Sequence, residues 1–311
     1  MPTFRYHLQK YSGRDSRHTC PQCGRAQSFS LYLDAENRPA GPQYGRCNHA
    51  KCGYLLYPSN AESSNNAPIV EKKPTPIYYT KSDVKAYRGA AMKNALCRYL
   101  APKFHQPYFD RVLRDYCVGS IDDAIIFWQI DEKYQIHRGK VMYYNEDGHR
   151  VKLQRKDGSE YGRVKMMWQF LHRDRDNEPD MCYFGQHLAS LYPNKPVAIV
   201  ESEKTALVMS YFFPWFVWVA TLSLNNFQSY RLNFLKDRRT PVIVFPDYDG
   251  YEKWEAKAIS LKSLTPDALL FVDDFIKQYG SDKDDIADLM LKYGYNIFLD
   301  FDNQMKLYLQ I

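Results

Sequence analysis

Two groups of residues in this sequence have the types and spacing for metal chemistry, and a third for gripping an anionic polymer. The first is a cysteine cluster. Cys20-Pro-Gln-Cys23 is followed, after a 23-residue gap, by Cys47-Asn-His49-Ala-Lys-Cys52. Two close thiolate pairs joined by a β-rich spacer are how a small domain builds a tetrahedral zinc site. Gly24 and Gly53 each follow the second cysteine of a pair, where a knuckle turn needs a permissive backbone. A core this small needs such a staple to fold. His49 can replace one thiolate, and His18 is a weaker candidate; the competing reading is four unligated buried cysteines. With four protein ligands the site is closed, hence structural. Cys97, Cys117 and Cys182 stand alone and read as core packing.

The second group is acidic. Glu201 ends the apolar run Val197–Val200, while Asp247 and Asp249 follow Val242–Phe245. Carboxylates delivered together to one sheet edge repel by roughly 1 kcal/mol or more per pair even in a wet site. Their natural neutraliser is Mg²⁺, a hard cation that takes oxygen ligands and keeps waters. The segment Lys283-Asp284-Asp285-Ile286-Ala287-Asp288 offers a further ligand; Asp284 and Asp285 read equally well as turn and cap acids.

The third group is basic. Lys140, Lys152 and Arg155 lie on a predicted strand pair and suit a triphosphate or a template backbone, or else are solvent-facing strand positions. Around the cysteines, Arg17, Arg25, Arg46 and Lys51 alternate with Phe29, Tyr32, Tyr44 and Tyr54. Basic groups that track phosphates beside aromatic faces that stack on bases are how single strands are held. The alternative is that these aromatics form the small core.

The elements that position these residues follow from patterning. Pro58–Pro76 is polar, small and proline-interrupted, and reads as a linker. Residues 82–116 carry apolar positions at helical spacing. AIIFWQI (124–130), KVMYYN (140–145) and RVKLQ (150–154) read as strands, the last two joined by the turn Glu146-Asp147-Gly148. From Pro196 strands and helices alternate: Val197–Val200, helix Lys204–Tyr211, Phe216–Ala220, helix Phe227–Lys236, Val242–Phe245, helix Tyr251–Leu261 and Ala268–Val272. Short continuous apolar strands between helices imply a buried parallel sheet, with ligands beyond the carboxyl ends of its strands.

Composition is that of an ordinary globular protein, 45% hydrophobic and 25% charged over 311 residues; the alternation of strands and helices makes it α/β. No apolar run approaches the ~20 residues a bilayer needs, which predicts no membrane partner. The opening MPTFRYHLQK lacks the apolar stretch of a signal peptide, and seven cysteines are an odd number, so a reducing cytoplasm is expected. Charge is uneven: residues 1–60 carry eight Lys/Arg against three Asp/Glu, residues 84–175 eighteen against eleven, and residues 265–303 three against nine. A basic front and an acidic end favour an anionic polymer partner.

The strand–Glu unit at Glu201, the strand–Asp-x-Asp unit at Asp247 and Asp249, and the βαβ order between them resemble the Toprim domain of topoisomerases and primases. The rest resembles bacterial-type replicative primases: a zinc ribbon, then FDRVLRDYCVGSI, RGKVMYYNEDGHRVKLQ, CYFGQHLA, WVATLSLNN and KDDIADLM in family order. The resemblance implies a zinc-ribbon DNA-binding domain over 1–57, a linker over 58–78, a mixed α/β polymerase subdomain over 79–190, and a Toprim catalytic domain over 191–311. It further implies primer synthesis on single-stranded DNA from nucleoside triphosphates, with structural Zn²⁺ on Cys20, Cys23, Cys47 and Cys52. Catalytic Mg²⁺ or Mn²⁺ would be held by Glu201, Asp247, Asp249 and Asp288, with Glu201 a ligand or a general base. Lys140, Lys152, Arg155, Arg46 and Lys51 would bind nucleotide or DNA, and a replicative helicase would be supplied in trans. Four departures stand out: Ser202 replaces the Gly after the Glu, Thr205 an Asp four residues on, Lys140 an Arg, and the second cysteine pair has four residues between its members where two are usual. No counterpart of the family's helicase-binding domain is seen, which suits a small phage or mobile-element type. A Toprim nuclease and a non-catalytic primase-derived DNA-binding module are the alternative readings.

Overall fold

The computed structural model describes residues 6–49, 52–58, 69–70, 75–89, 91–236, 238–261 and 270–309. The chain forms two compact units that divide between residues 75 and 76. Much of the predicted linker, and Lys51, lie outside the described residues.

The first unit is one antiparallel sheet in chain order: β1 (His7–Leu8), β2 (Phe29–Leu33), β3 (Gly45–Cys47), β4 (Tyr54–Leu56) and β5 (Ile69–Val70). Its buried apolar cluster is small and includes two of the cysteines: Cys20, Phe29, Leu31, Leu33, Cys47 and Tyr54. Three of the four aromatics assigned above to base stacking, Phe29, Tyr32 and Tyr54, are buried. The sheet needs them as core, since few other side chains are large enough to fill it. Tyr44 stays partly exposed, and Tyr11 and Tyr57 are the unit's open rings.

The second unit opens with three helices, α1 (Lys81–Arg88), α2 (Ala95–Leu100) and α3 (Gln106–Asp115). Thr80 and Asp83 close a capping box on α1, and the Asn94 side chain caps α2. Six strands follow: β6 (Gly119–Ile121), β7 (Ala124–Ile130), β8 (Ile136–Met142), β9 (Lys152–Gln154), β10 (Glu160–Gly162) and β11 (Val164–Met166). They form an antiparallel sheet in the order β11-β8-β7-β6 and a separate β9–β10 hairpin. The turn at 146–148 is present, with Tyr144 bridged to Arg150 and the Val151 N–H donating to the Tyr143 carbonyl at 2.9 Å. Beyond that point the expected strand pair parts, because Lys140–Met142 pair with β11 while β9 pairs with β10. Strand β7 is apolar throughout because both faces are covered: Ile125 and Phe127 join the larger core, Ala124, Ile126, Trp128 and Ile130 a second one. Gly139 on β8 allows that packing; a Cβ there would lie 2.3 Å from Met167 Cγ and 2.9 Å from Trp128 Cζ3.

After α4 (Met167–Phe170) and α5 (Gln186–Leu191) comes the alternating region: β12 (Val197–Val200), α6 (Glu203–Phe212), β13 (Val217–Ala220), β14 (Val242–Val244), α7 (Tyr251–Leu261) and β15 (Leu270–Val272). Its four strands are fully parallel, in the order β13-β12-β14-β15, with flanking helices. Residues Ser229–Leu235 wind as a 3-10 helix where an α-helix was predicted, in a stretch containing the weak α-formers Ser229, Tyr230 and Asn233. Helices α8 (Phe275–Tyr279), α9 (Ile286–Tyr293) and α10 (Tyr295–Leu309) complete the unit. Its larger core is continuous from Ala95 to Met305.

Candidate metal centres

In the first unit the four cysteine sulfurs lie within 4.8 Å of one another, the one such group of metal-binding side chains among the described residues. Cys20 Sγ is 3.7 Å from Cys52 Sγ, and Cys23 Sγ 3.9 Å from Cys47 Sγ. A tetrahedral zinc with Zn–S bonds of about 2.3 Å has an S–S edge of about 3.8 Å, so the thiols are already at ligation distance. The two knuckles are built alike. Gly24 and Gly53 both take φ of +65°, the left-handed region that favours glycine, and the Gly24 N–H turns back to the Cys20 carbonyl at 3.0 Å. The backbone N–H groups support the sulfurs: His49 N–H lies 3.4 Å from Cys47 Sγ, and that of Arg25 holds the Cys23 thiol below its ordinary range. This zinc ribbon, with its four thiols in place, supports a structural Zn²⁺. Arg46 projects from β3 as an exposed side chain.

In the second unit the sheet order decides what meets at the acidic edge. Because β12 pairs directly with β14, Glu201 and Asp247 leave neighbouring strand ends. Asp247 begins the turn Asp247–Gly250, and the Tyr248 N–H donates to the Asp284 carbonyl at 3.0 Å, which fastens this turn to the start of α9. Five carboxylates therefore lie along the edge: Glu201, Asp247, Asp249, Asp285 and Asp288. They are near enough for Asp247 to feel the charges of Glu201, Asp249 and Asp285, and Asp285 that of Asp288, though no three of them bring oxygens within 4.8 Å of one another.

Their environments differ. Glu201 is half-buried; burial raises its pKa, against the pull of the Arg150 charge and hydrogen bonds from the Leu224 backbone and the Trp254 side chain. Asp247 is pushed up to about 8, first by burial and then by the charges of Asp285, Glu201 and Asp249, with Arg150 opposing. Asp249 is exposed. Asp285 is buried and also held above the usual carboxylate range by burial and by Asp288. A group of acids that raise one another this way has more negative charge than its neighbours offset, and an all-oxygen donor set suits a hard divalent cation.

Asp285 and Asp288 are also engaged within the fold. They form the capping box of α9, the Asp288 N–H donating to Asp285 Oδ1 at 2.9 Å and the Asp285 N–H to Asp288 Oδ2 at 3.2 Å. Thr205 Oγ1 donates to Asp285 Oδ2 at 2.5 Å, and Lys204 Nζ lies 2.9 Å from Asp288 Oδ1. Burial disfavours the charged Lys204, but Asp285 and Asp288 outweigh it and keep its pKa above the ordinary lysine value.

The three basic residues assigned to nucleotide or DNA separate. Lys140 Nζ pairs with Glu203 at 2.7 Å, a partner only 1% exposed, and so ties β8 to the first turn of α6. Lys152 and Arg155 stand on the exposed β9–β10 hairpin, Lys152 paired to Glu160 at 3.0 Å and the Arg155 guanidinium 4.9 Å from the Tyr161 ring centre. Sequence reasoning missed Arg150, Lys204 and Glu203. Arg150 sits after a hairpin turn and reads as a surface charge; Lys204 and Glu203 read as the polar start of a helix. The available signal was their place within three residues of Glu201, on the helix that leaves the acidic edge.

The sequence matches the zinc beta-ribbon finger family over residues 4–67 and a domain of unknown function, DUF6371, over residues 94–248. No curated protein sequence matches it. Among solved structures, the chain overlaps the zinc-binding and RNA polymerase domains of Aquifex aeolicus primase over 97% of its own length and 87% of that chain, at 14% identity and a TM-score of 0.40. It overlaps the E. coli primase catalytic core over 72% of its length and 78% of that chain, at 12% identity and a TM-score of 0.44. For the RNA polymerase domain of Mycobacterium tuberculosis primase the values are 70% and 79%, 14% and 0.43.

Proposed function

We propose that this chain is a primase-like nucleotidyltransferase, which extends short primers on a single-stranded DNA template at a Toprim-type acidic edge. The observation that carries this reading is the pairing of β12 with β14, from whose ends Glu201 and the Asp247-Tyr248-Asp249 turn emerge side by side. The order of motifs along the chain supports it independently, from the ribbon cysteines through the β8 strand to the Lys283–Asp288 segment.

Glu201, Asp247 and Asp249 would hold Mg²⁺ or Mn²⁺, with Asp288 at the margin of the set. Bound there, the metal supplies Lewis-acid stabilisation of phosphate charge. The chain's own groups do the rest. The Trp254 side chain and the Leu224 backbone hydrogen-bond the Glu201 carboxylate, and Arg150 sets positive charge against Glu201 and Asp247, which would favour a triphosphate there. Lys152 and Arg155 on the hairpin, and Arg46 on the ribbon, with Lys51, would track the template backbone. A replicative helicase would act in trans.

The test is primer synthesis on single-stranded DNA with labelled nucleotides and Mg²⁺ or Mn²⁺, wild type beside Asp247→Asn. Short products from the wild type, reduced at least 100-fold in the variant with folding intact, are the expected result. Products of equal yield from both would remove Asp247 from the reaction. Degraded template would replace the proposal with a nuclease, and DNA binding without products with a non-catalytic module.

A further inference from the structure

The acidic edge holds five carboxylates but is not uniformly open to a metal. Asp288 is in an ion pair with Lys204, 2.9 Å from Nζ to Oδ1, and the lysine side chain is only 15% exposed. Asp285 accepts from Thr205 Oγ1 at 2.5 Å and from the Asp288 backbone at 2.9 Å. Lys204 is the second residue of α6, where the helix dipole disfavours a cation. A buried ammonium at such a position persists only when carboxylates outside its own helix compensate it, and α9 supplies both of them. Glu201, Asp247 and Asp249 have no lysine among the ion pairs of the described residues; the opposing charge on Glu201 and Asp247 is that of Arg150.

We infer that Lys204 is a resident cation occupying the α9 side of the acidic edge, so that the edge takes one exchangeable divalent ion, on the Glu201–Asp247–Asp249 side, rather than two. This rests on the reading of the edge as a divalent-cation site given under Proposed function. A protein ammonium cannot leave, so one positive charge stands against Asp285 and Asp288 before any metal arrives. The single ion then serves the three carboxylates that the lysine does not reach.

The experiment is Mn²⁺ titration of the zinc-loaded full chain, counting bound ions from the loss of the free Mn²⁺ electron paramagnetic resonance signal. Wild type is expected to bind one Mn²⁺, and Asp247→Asn to bind it at least 30-fold more weakly. Lys204→Gln, with its circular dichroism unchanged, is expected to gain a second ion, and Lys204→Arg to keep one. Two ions in the wild type would overturn the inference while leaving the proposed function standing. One ion in a folded Lys204→Gln would also overturn it. No Mn²⁺ bound by the wild type would instead overturn the divalent-cation reading beneath it. If Lys204→Gln does not fold, the wild-type count and the Lys204→Arg count decide alone.

Discussion

A lysine in a strand reads as a solvent-facing charge until its partner is known, and Lys140 shows how far the partner changes it. Its ammonium lies 2.7 Å from Glu203, a carboxylate almost wholly out of water. Lys140→Ala would strand that carboxylate, and breaking one side of a buried pair costs about 3–5 kcal/mol. The double variant Lys140→Met/Glu203→Leu should recover most of this, since an apolar pair of similar volume is often neutral. Urea denaturation of the three proteins checks both; a single variant as stable as wild type would show that Glu203 is not held by Lys140. The four cysteines were legible because each zinc knuckle is local, two thiols and a turn within six residues. Arg150 and Lys204 were not, and Asp285 was legible as the cap acid it is but not as the partner of Thr205. Lys204 meets Asp288 across 84 positions and Thr205 meets Asp285 across 80, and only the packing of α9 beside α6 creates those partnerships.

At the scale of elements, the sequence pattern carried the parallel sheet well, because strands buried on both faces are short unbroken apolar runs and all four were visible as such. The antiparallel region was read less well. Its strand β8 has two candidate partners downstream, and the hydrogen-bond register goes to Val164–Met166, which leaves Lys152–Gln154 and Glu160–Gly162 as a hairpin on their own. A two-stranded ribbon gains little from packing, and the side chains of this one face solvent or lie half-exposed. Positive charge dominates it: Lys152, Arg155, Lys156 and Arg163 against Asp157 and Glu160. If the hairpin lies on nucleic acid, Lys152→Ala/Arg155→Ala should weaken binding to single-stranded DNA and lower the slope of log affinity against log salt by about 1–2. Fluorescence anisotropy at several salt concentrations measures this, and an unchanged slope would place the hairpin away from the phosphates. Both side chains are surface groups, so the fold should be untouched.

The whole molecule is two units stabilised by different means. The first has a small cluster of apolar side chains and four thiols at zinc-ligation distance, whereas the second has a continuous core from Ala95 to Met305. Structural zinc contributes roughly 10–16 kcal/mol in small zinc-dependent folds, more than such a core supplies alone. Cys23→Ser should therefore lose the bound zinc and unfold the ribbon, while the parallel sheet of the second unit keeps its far-ultraviolet signal. Metal analysis together with amide hydrogen exchange resolves the two; a ribbon that stays protected without zinc would refute the dependence. The same contrast governs how the protein forms during synthesis. Every strand and every ligand of the ribbon lies within the first 70 residues, so it can close on its metal while most of the chain is still unmade. The second unit cannot finish early. Phe301 of α10 packs on Phe213, Phe245 and Phe275, rings at the heart of the parallel sheet's core, so a surface around β12 and β14 stays uncovered until that helix arrives. At about 5–20 residues per second, the 104 positions from Val197 to Asp300 take roughly 5–20 s to translate. Throughout that interval the nascent sheet is the part of the molecule that most needs a chaperone.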